Sequence, residues 1–311
     1  MDQATRRDFM KGAAAVAAAA TVGMKPAMAA ESAKPTKFSI CNETFFDLKW
    51  PQEKIFQFAA ECGYQGVEIA PFTLNTDVTK ISASERTRLR KAADAAGIQV
   101  CGLHWILSKT EGLHLTTDDK AVRQRTSDYL GELARFCREL GGEVMIFGSP
   151  MQRSRPTTMS LVQAYQNATE TLQAAVPVLE ETDVKVLMEP LAPWETNFLM
   201  DARSAVHLVK MVDSPNVGMM IDCKAMWAME PEPIPEVIHR YKDWFGHFHA
   251  NDPNLQGPGF GELDFVPIFQ ALKDVKYDKW VSVEVFDYTP GPEKLAIDSI
   301  RYMKECVSQV A

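Results

Sequence analysis

The chain lacks what would mark a disulfide scaffold, a nucleic-acid binder or a membrane-spanning protein. It has six cysteines in 311 residues and no Cys-x-x-Cys pair, which argues against a disulfide framework and a thiolate zinc site. Cys41, Cys62, Cys101, Cys137, Cys223 and Cys306 fall in expected strands and helices and read as small buried apolar residues. Positive charge is in deficit, with 33 Lys and Arg against 41 Asp and Glu and a formal charge of −8. A surface of that sign repels phosphate backbones, so no nucleic-acid partner is expected. No apolar run approaches the roughly 20 residues that span a bilayer. The weakly apolar stretch at 12–22 is short and mostly alanine, and low complexity is confined to it, so no stable membrane insertion is expected.

What is present begins with Thr5-Arg6-Arg7-Asp8-Phe9-Met10-Lys11, the alanine-rich stretch, and Ala27-Met28-Ala29. This resembles a bacterial twin-arginine export signal cleaved after Ala29. The resemblance implies export by the twin-arginine translocase to the periplasm. Passage in the folded state would let a metal be enclosed before export. The expected organisation is a signal peptide at 1–30, a polar linker at 31–36 and one domain at 37–311. The leader carries more basic than acidic residues, so the remainder is more acidic than the whole.

From residue 37, short apolar runs alternate with stretches of helical periodicity. Strands are expected at 37–42, at 66–70, up to His104, and at 143–147. Four further runs end at or just before Glu189, Asp222, His249 and Glu284. The first helix starts at Pro51, buries Ile55, Phe58, Ala59 and Cys62 at i, i+3, i+4 and i+7, and closes at Gly63. Others are expected at 84–96, 118–140, 159–180, 202–211, 235–241, 265–273 and 292–307. The helix at 159–180 presents Leu161, Tyr165, Ala168, Leu172 and Leu179 on one face, with Pro177 bending its last turn. Strict alternation of eight strands and eight helices predicts a single α/β domain, a (β/α)8 TIM barrel, with its site at the C-terminal ends of the strands.

Glu189, Asp222, His249 and Glu284 are spaced by 33, 27 and 35 residues. A barrel of about 250 residues in eight units uses about 31 per unit, so one metal-type side chain falls at each of four consecutive strand ends. One such acid would more simply cap the following helix; four in register point to a shared site. Three carboxylates and an imidazole suit a divalent first-row ion, Mn²⁺ first, with Mg²⁺, Co²⁺, Zn²⁺ or Fe²⁺ also compatible. Two of the carboxylates could then accept and donate a proton at a carbon beside a polarised carbonyl, through an enediolate. Two loops on that face are richer than connection requires: 107–117, with Lys109 and His114, and the glycine-rich 250–263, read as a shaped lid.

Met-Glu189-Pro, Ile-Asp222, His249-Ala-Asn-Asp252, Gly259-Phe-Gly-Glu-Leu-Asp264-Phe and Tyr277-x-x-Trp-Val-Ser-Val-Glu284 resemble the xylose isomerase-like TIM barrels. These include D-tagatose 3-epimerase-like ketose epimerases, hydroxypyruvate isomerase, inosose dehydratase and AP endonucleases. The resemblance covers essentially all of 37–311. It implies that Glu189 and Glu284 are the proton-transferring pair as well as metal ligands, and that Glu195 contacts substrate. It also implies two departures, because a substrate-binding His of the family is Ala225 here and an Arg is Leu255.

His104, Trp105 and Lys224 are the candidates to replace those contacts, with Trp105, Trp194 and Trp227 as an apolar wall. Glu43 and Glu68 read as internal hydrogen-bonding groups. The expected activity is isomerisation or epimerisation of a non-phosphorylated sugar or keto-sugar. The alternatives are a lyase performing β-elimination on keto-sugars or 3-keto-glycosides, and a non-catalytic sugar-binding protein. Six histidines and an acidic surface disfavour the AP endonuclease chemistry. A homo-oligomer is left open.

Overall fold

The structure is a computed structural model and describes residues 36–310; the expected leader and all but the last residue of the linker lie outside them. Eight parallel strands close in sequence order into a barrel: β1 Lys37–Cys41, β2 Gly66–Ile69, β3 Gln99–Leu103, β4 Val144–Phe147, β5 Lys185–Met188, β6 Val217–Asp222, β7 Phe245–Ala250 and β8 Trp280–Val283. The helices are α1 Gln52–Cys62, α2 Ala83–Ala96, α3 Lys120–Leu140, α4 Leu161–Thr182, α5 Ala202–Val212, α6 Cys223–Met229, α7 Ile234–Tyr241, α8 Val266–Asp274 and α9 Pro292–Ser308. The β6–β7 connection therefore carries two helices where strict alternation expects one. The sequence reading missed α6 because it has seven residues and no amphipathic period. It starts directly on Asp222, which serves as its N-cap.

Local chemistry places most boundaries. Gly63, Gly97 and Gly141 adopt the left-handed conformation that ends α1, α2 and α3. Asp201 and Ser204 form a capping box at the start of α5. In α1 the buried apolar set is Ile55, Phe56 and Ala59, while Phe58 and Cys62 are only half-buried. Phe56 thus takes the deep position expected of Phe58. Leu161 is half exposed at the first turn of α4. Five of the six free cysteines are buried and Cys62 is intermediate. No helix among the described residues is long and apolar enough to cross a membrane.

Strand alternation sorts the interior. Val186, Met188, Met219, Ile221, Val281 and Val283 belong to the large apolar cluster between barrel and helices. Ile146, Leu187 and Met220 form a separate small cluster. Gly218 and Gly246 leave room for Leu187, whose side chain a Cβ on either glycine would meet at 2.9 and 3.0 Å. Residues two apart share a strand face, so Glu189 and Asp222 stand one layer above Leu187 and Met220. His249 and Glu284 stand likewise above His247 and Ser282.

Candidate functional site

The quartet converges. Glu189, Asp222, His249 and Glu284 are buried, and one donor atom from each lies within 4.8 Å of the others. Asp222 and His249 are direct partners across the β6–β7 ladder. His249 Nδ1 lies 3.0 Å from Glu284 Oε2, 3.7 Å from Glu189 Oε1 and 4.0 Å from Asp222 Oδ2. Its other nitrogen, Nε2, lies 3.2 Å from Glu68 Oε2, which is also 2.9 Å from His247 Nε2. Glu68 thereby fixes the ring so that Nδ1 faces the quartet, a carboxylate support often given to metal-ligating histidines.

Asp222 is at once a helix cap and a member of the quartet. Its Oδ1 accepts the Ala225 N–H at 2.7 Å and caps α6, while its Oδ2 accepts from Asn251 Nδ2 at 2.5 Å. Asn251 also accepts the Lys224 N–H at 2.8 Å, which ties the start of α6 to the end of β7.

Like charges crowded in a dry site raise carboxylate pKa values. Burial, then Glu284, pushes Glu189 up to about 7. Burial pushes Asp222 up to about 6, with Lys224 pulling it down and Glu284 pushing it further up. Burial also opposes ionisation of Glu284 and His249, but their mutual attraction outweighs it and moves each toward its charged form. One imidazolium cannot offset three carboxylates. Glu189 Oε2 and Glu284 Oε1 are buried without hydrogen-bond partners. An anionic cluster of oxygen donors, one imidazole and unpaired oxygens fits a divalent cation.

The expected substrate-contacting residues divide into two groups around the quartet. Lys224 is buried, and its Nζ lies 2.8 Å from Glu195 Oε1 and 3.8 Å from the centre of the Phe286 ring; it is therefore not a solvated helix-start residue. Burial opposes its charge, but Asp222 and Glu195 raise its pKa. On the other side His104 is fully buried, and its Nε2 is 2.7 Å from Glu43 Oε2. Burial pushes His104 down to about 4, against the pull of Glu68 and Glu284. Burial, with Glu284, holds Glu43 well above the usual carboxylate range.

Trp105 is half-buried at φ 48°, a left-handed conformation that costs a bulky residue about 1–3 kcal/mol. Trp194 and Trp227 are 67% and 63% exposed and build no wall.

Four further residues were not singled out from the sequence. Arg153 is fully buried and donates through Nη1 to the Phe147 carbonyl at 3.0 Å, leaving Nε and Nη2 unpaired. Burial lowers it to about 10, against the pull of Glu189 and Glu195. Gly148 follows β4, where a Cβ would come within 2.0 Å of Glu189 Oε2. Asp252 holds the 250–263 loop by accepting the Leu263 N–H at 3.2 Å, and Asn251 Nδ2 donates to Asp222 Oδ2 at 2.5 Å and to Glu284 Oε2 at 3.5 Å. The His-Ala-Asn-Asp run contained the last two, but only the three-dimensional partners give them roles.

A family model described as xylose isomerase-like TIM barrel matches residues 56–306, and one for the twin-arginine translocation signal matches 3–23. The chain is 27% identical over 238 residues to D-psicose 3-epimerase of Agrobacterium fabrum, covering 75% of this chain and 78% of that one. It is 23% identical over 284 residues to 3-dehydro-D-guloside 4-epimerase of Escherichia coli (strain K12), covering 87% and 100%. A crystal structure of D-psicose 3-epimerase in the presence of D-fructose superposes with a TM-score of 0.77 at 20% identity, covering 88% and 99%; this likeness concerns the fold. With its sugar-epimerase relatives, its closed eight-stranded barrel and its matched length, the chain belongs to the xylose isomerase-like TIM barrel family.

Proposed function

We propose that the chain is a divalent-metal-dependent isomerase or epimerase of a non-phosphorylated keto-sugar. Glu189, Asp222, His249 and Glu284 would hold the ion. Bound there, it would supply positive charge to a sugar carbonyl and the adjacent hydroxyl, making the C–H between them acidic.

The remaining work falls to the protein's own groups. The observation that carries the proposal is that each glutamate turns one oxygen toward His249 and keeps the other buried and unpaired, Oε2 in Glu189 and Oε1 in Glu284. A carboxylate so placed can take a proton from carbon, and its counterpart can return one, which inverts or relocates the centre. Burial excludes water that would quench the carbanion. The Glu195–Lys224 pair would hold the sugar hydroxyls, and His104, neutral at ordinary pH, would donate to or accept from another.

The relatives' names support a keto-sugar or ketose substrate, and Mn²⁺ suits the carboxylate-rich donor set. A lyase would share the first proton abstraction and differ only in a leaving group β to the carbanion. We also infer a signal peptide at 1–30, a linker at 31–36, the barrel at 37–311 and a periplasmic location, from the leader's motif.

The Mn²⁺-loaded protein, incubated in D₂O with a panel of ketoses and 3-keto-glycosides, should place deuterium at one carbon beside the carbonyl of its substrate, read by NMR. No exchange and no product across the panel would contradict the proposal.

A further inference from the structure

Lys224 is the second residue of α6, and its backbone N–H donates to Asn251 Oδ1 at 2.8 Å. Its base is therefore fixed, while the ammonium ends a flexible four-carbon stem. Burial opposes the charge, and Asp222, Glu195 and Glu284 attract it. Three carboxylates thus compete for one buried ammonium, and two of them belong to the quartet. Attraction at a distance favours the quartet as much as Glu195. Yet among the described residues the carboxylate that lies within 4.0 Å of Lys224 Nζ is Glu195, at 2.8 Å.

A neutral group accounts for that choice. Phe286, just past β8, has its ring centre 3.8 Å from Lys224 Nζ, well inside the roughly 6 Å at which an aromatic face attracts an ammonium. The attraction strengthens when the cation is desolvated, and Lys224 is 2% exposed. Trp105 stacks on the same ring at 6.0 Å and 28°, so the ring is packed in place and serves the lysine, not a ligand. Its backbone is tied as well. The Leu255 carbonyl accepts the N–H groups of Phe286 and Asp287, each at 2.8 Å, and Gln256 Nε2 donates to Asp287 Oδ2 at 2.8 Å. Leu255 holds a left-handed φ of 73°, a conformation that persists where the surroundings require it, and its side chain is 40% exposed. Leu255 thus acts through its carbonyl, at a position where the family resemblance implies an arginine side chain.

We propose that Phe286 is a positioning residue: its ring carries the Lys224 ammonium, holds it against Glu195 and keeps it out of the space among Glu189, Asp222, His249 and Glu284. Without the ring the ammonium turns to Asp222 and Glu284, where it occupies the oxygens that an ion needs and leaves Glu195 unpaired. The aromatic face therefore keeps two positive charges apart in one small site. The inference rests on the metal site proposed above.

The test is the Mn²⁺ affinity of the purified full chain, measured by titration calorimetry. Phe286→Leu should weaken Mn²⁺ binding about tenfold, and Phe286→Tyr, which keeps a ring, by no more than about twofold. In the double variant Phe286→Leu with Lys224→Met the competing ammonium is gone, and affinity should return to within about twofold of Lys224→Met alone. A merely structural role would leave the loss in place in the double variant. That result would overturn the proposal, as would wild-type affinity in Phe286→Leu. Should the Leu chain not fold, Phe286→Met, nearer in volume, carries the same expectations. A wild type that binds Mn²⁺ and is indifferent to the substitution removes this inference alone, whereas a wild type that binds no Mn²⁺ removes the ion site and the inference together.

Discussion

At the scale of single residues, the site depends on side chains that do one thing for the fold and another for the chemistry. Glycine at 148 is required by proximity and not by backbone conformation, since its missing Cβ makes room for Glu189 Oε2. Gly148→Ala should leave the barrel folded, because the conflicting atom is the movable end of a side chain, while turning Glu189 out of line. A displacement of about 1 Å at a reacting group can cost on the order of 10² in rate. Turnover reduced about that far, with an unchanged circular dichroism melt, is the expected result. Full activity would show that Glu189 Oε2 has no fixed place in the reaction.

At the scale of elements, strand ends and helix starts supply the site together. Asp222 ends β6, caps α6 and faces the quartet, so its two roles can be separated by substitution. Asp222→Asn keeps an oxygen that can accept the Ala225 N–H but loses the charge, whereas Asp222→Ala loses both. The Ala variant should be destabilised by about 1 kcal/mol more than the Asn variant, as read by urea denaturation of the metal-free proteins. The Ala variant should bind well under one ion per chain by elemental analysis, and the Asn variant, which keeps an oxygen donor, more than the Ala variant. Stoichiometric metal in the Ala variant would place Asp222 outside the ligand set.

The strand-end quartet was legible because strand alternation and unit spacing are local signals that repeat along the chain. Glu68 was legible only as an internal polar residue, because its partners His247 and His249 lie 179 and 181 residues away. Helix α6 escaped because seven residues capped by Asp222 carry no period to detect. Trp194 and Trp227 misled because tryptophan near a site suggests a wall, and nothing local says whether an element packs on it.

At the scale of the whole molecule, the barrel collects eight strand ends on one face, and the leader concerns where the chain is sent. The twin-arginine signal matched at residues 3–23, with its motif at Arg6-Arg7, supports export by the twin-arginine translocase. Replacing both arginines with lysine should keep the chain unprocessed in the cytoplasmic fraction, as seen by fractionation and blotting. Processed periplasmic protein at normal yield would contradict that route.

The face itself is tested most directly by carbon-proton exchange in D₂O for the wild type, Glu189→Gln and Glu284→Gln, each with its ion content measured. Glutamine keeps an oxygen to bind with and removes the base, and general acid–base catalysis is worth about 10² to 10⁴ in rate. Deuterium should enter at the carbon beside the carbonyl in the wild type, with exchange slowed by at least about 10² in both variants while bound ion is retained. Undiminished exchange in both variants, or turnover by the wild type with no deuterium incorporated, would contradict proton transfer by these two glutamates.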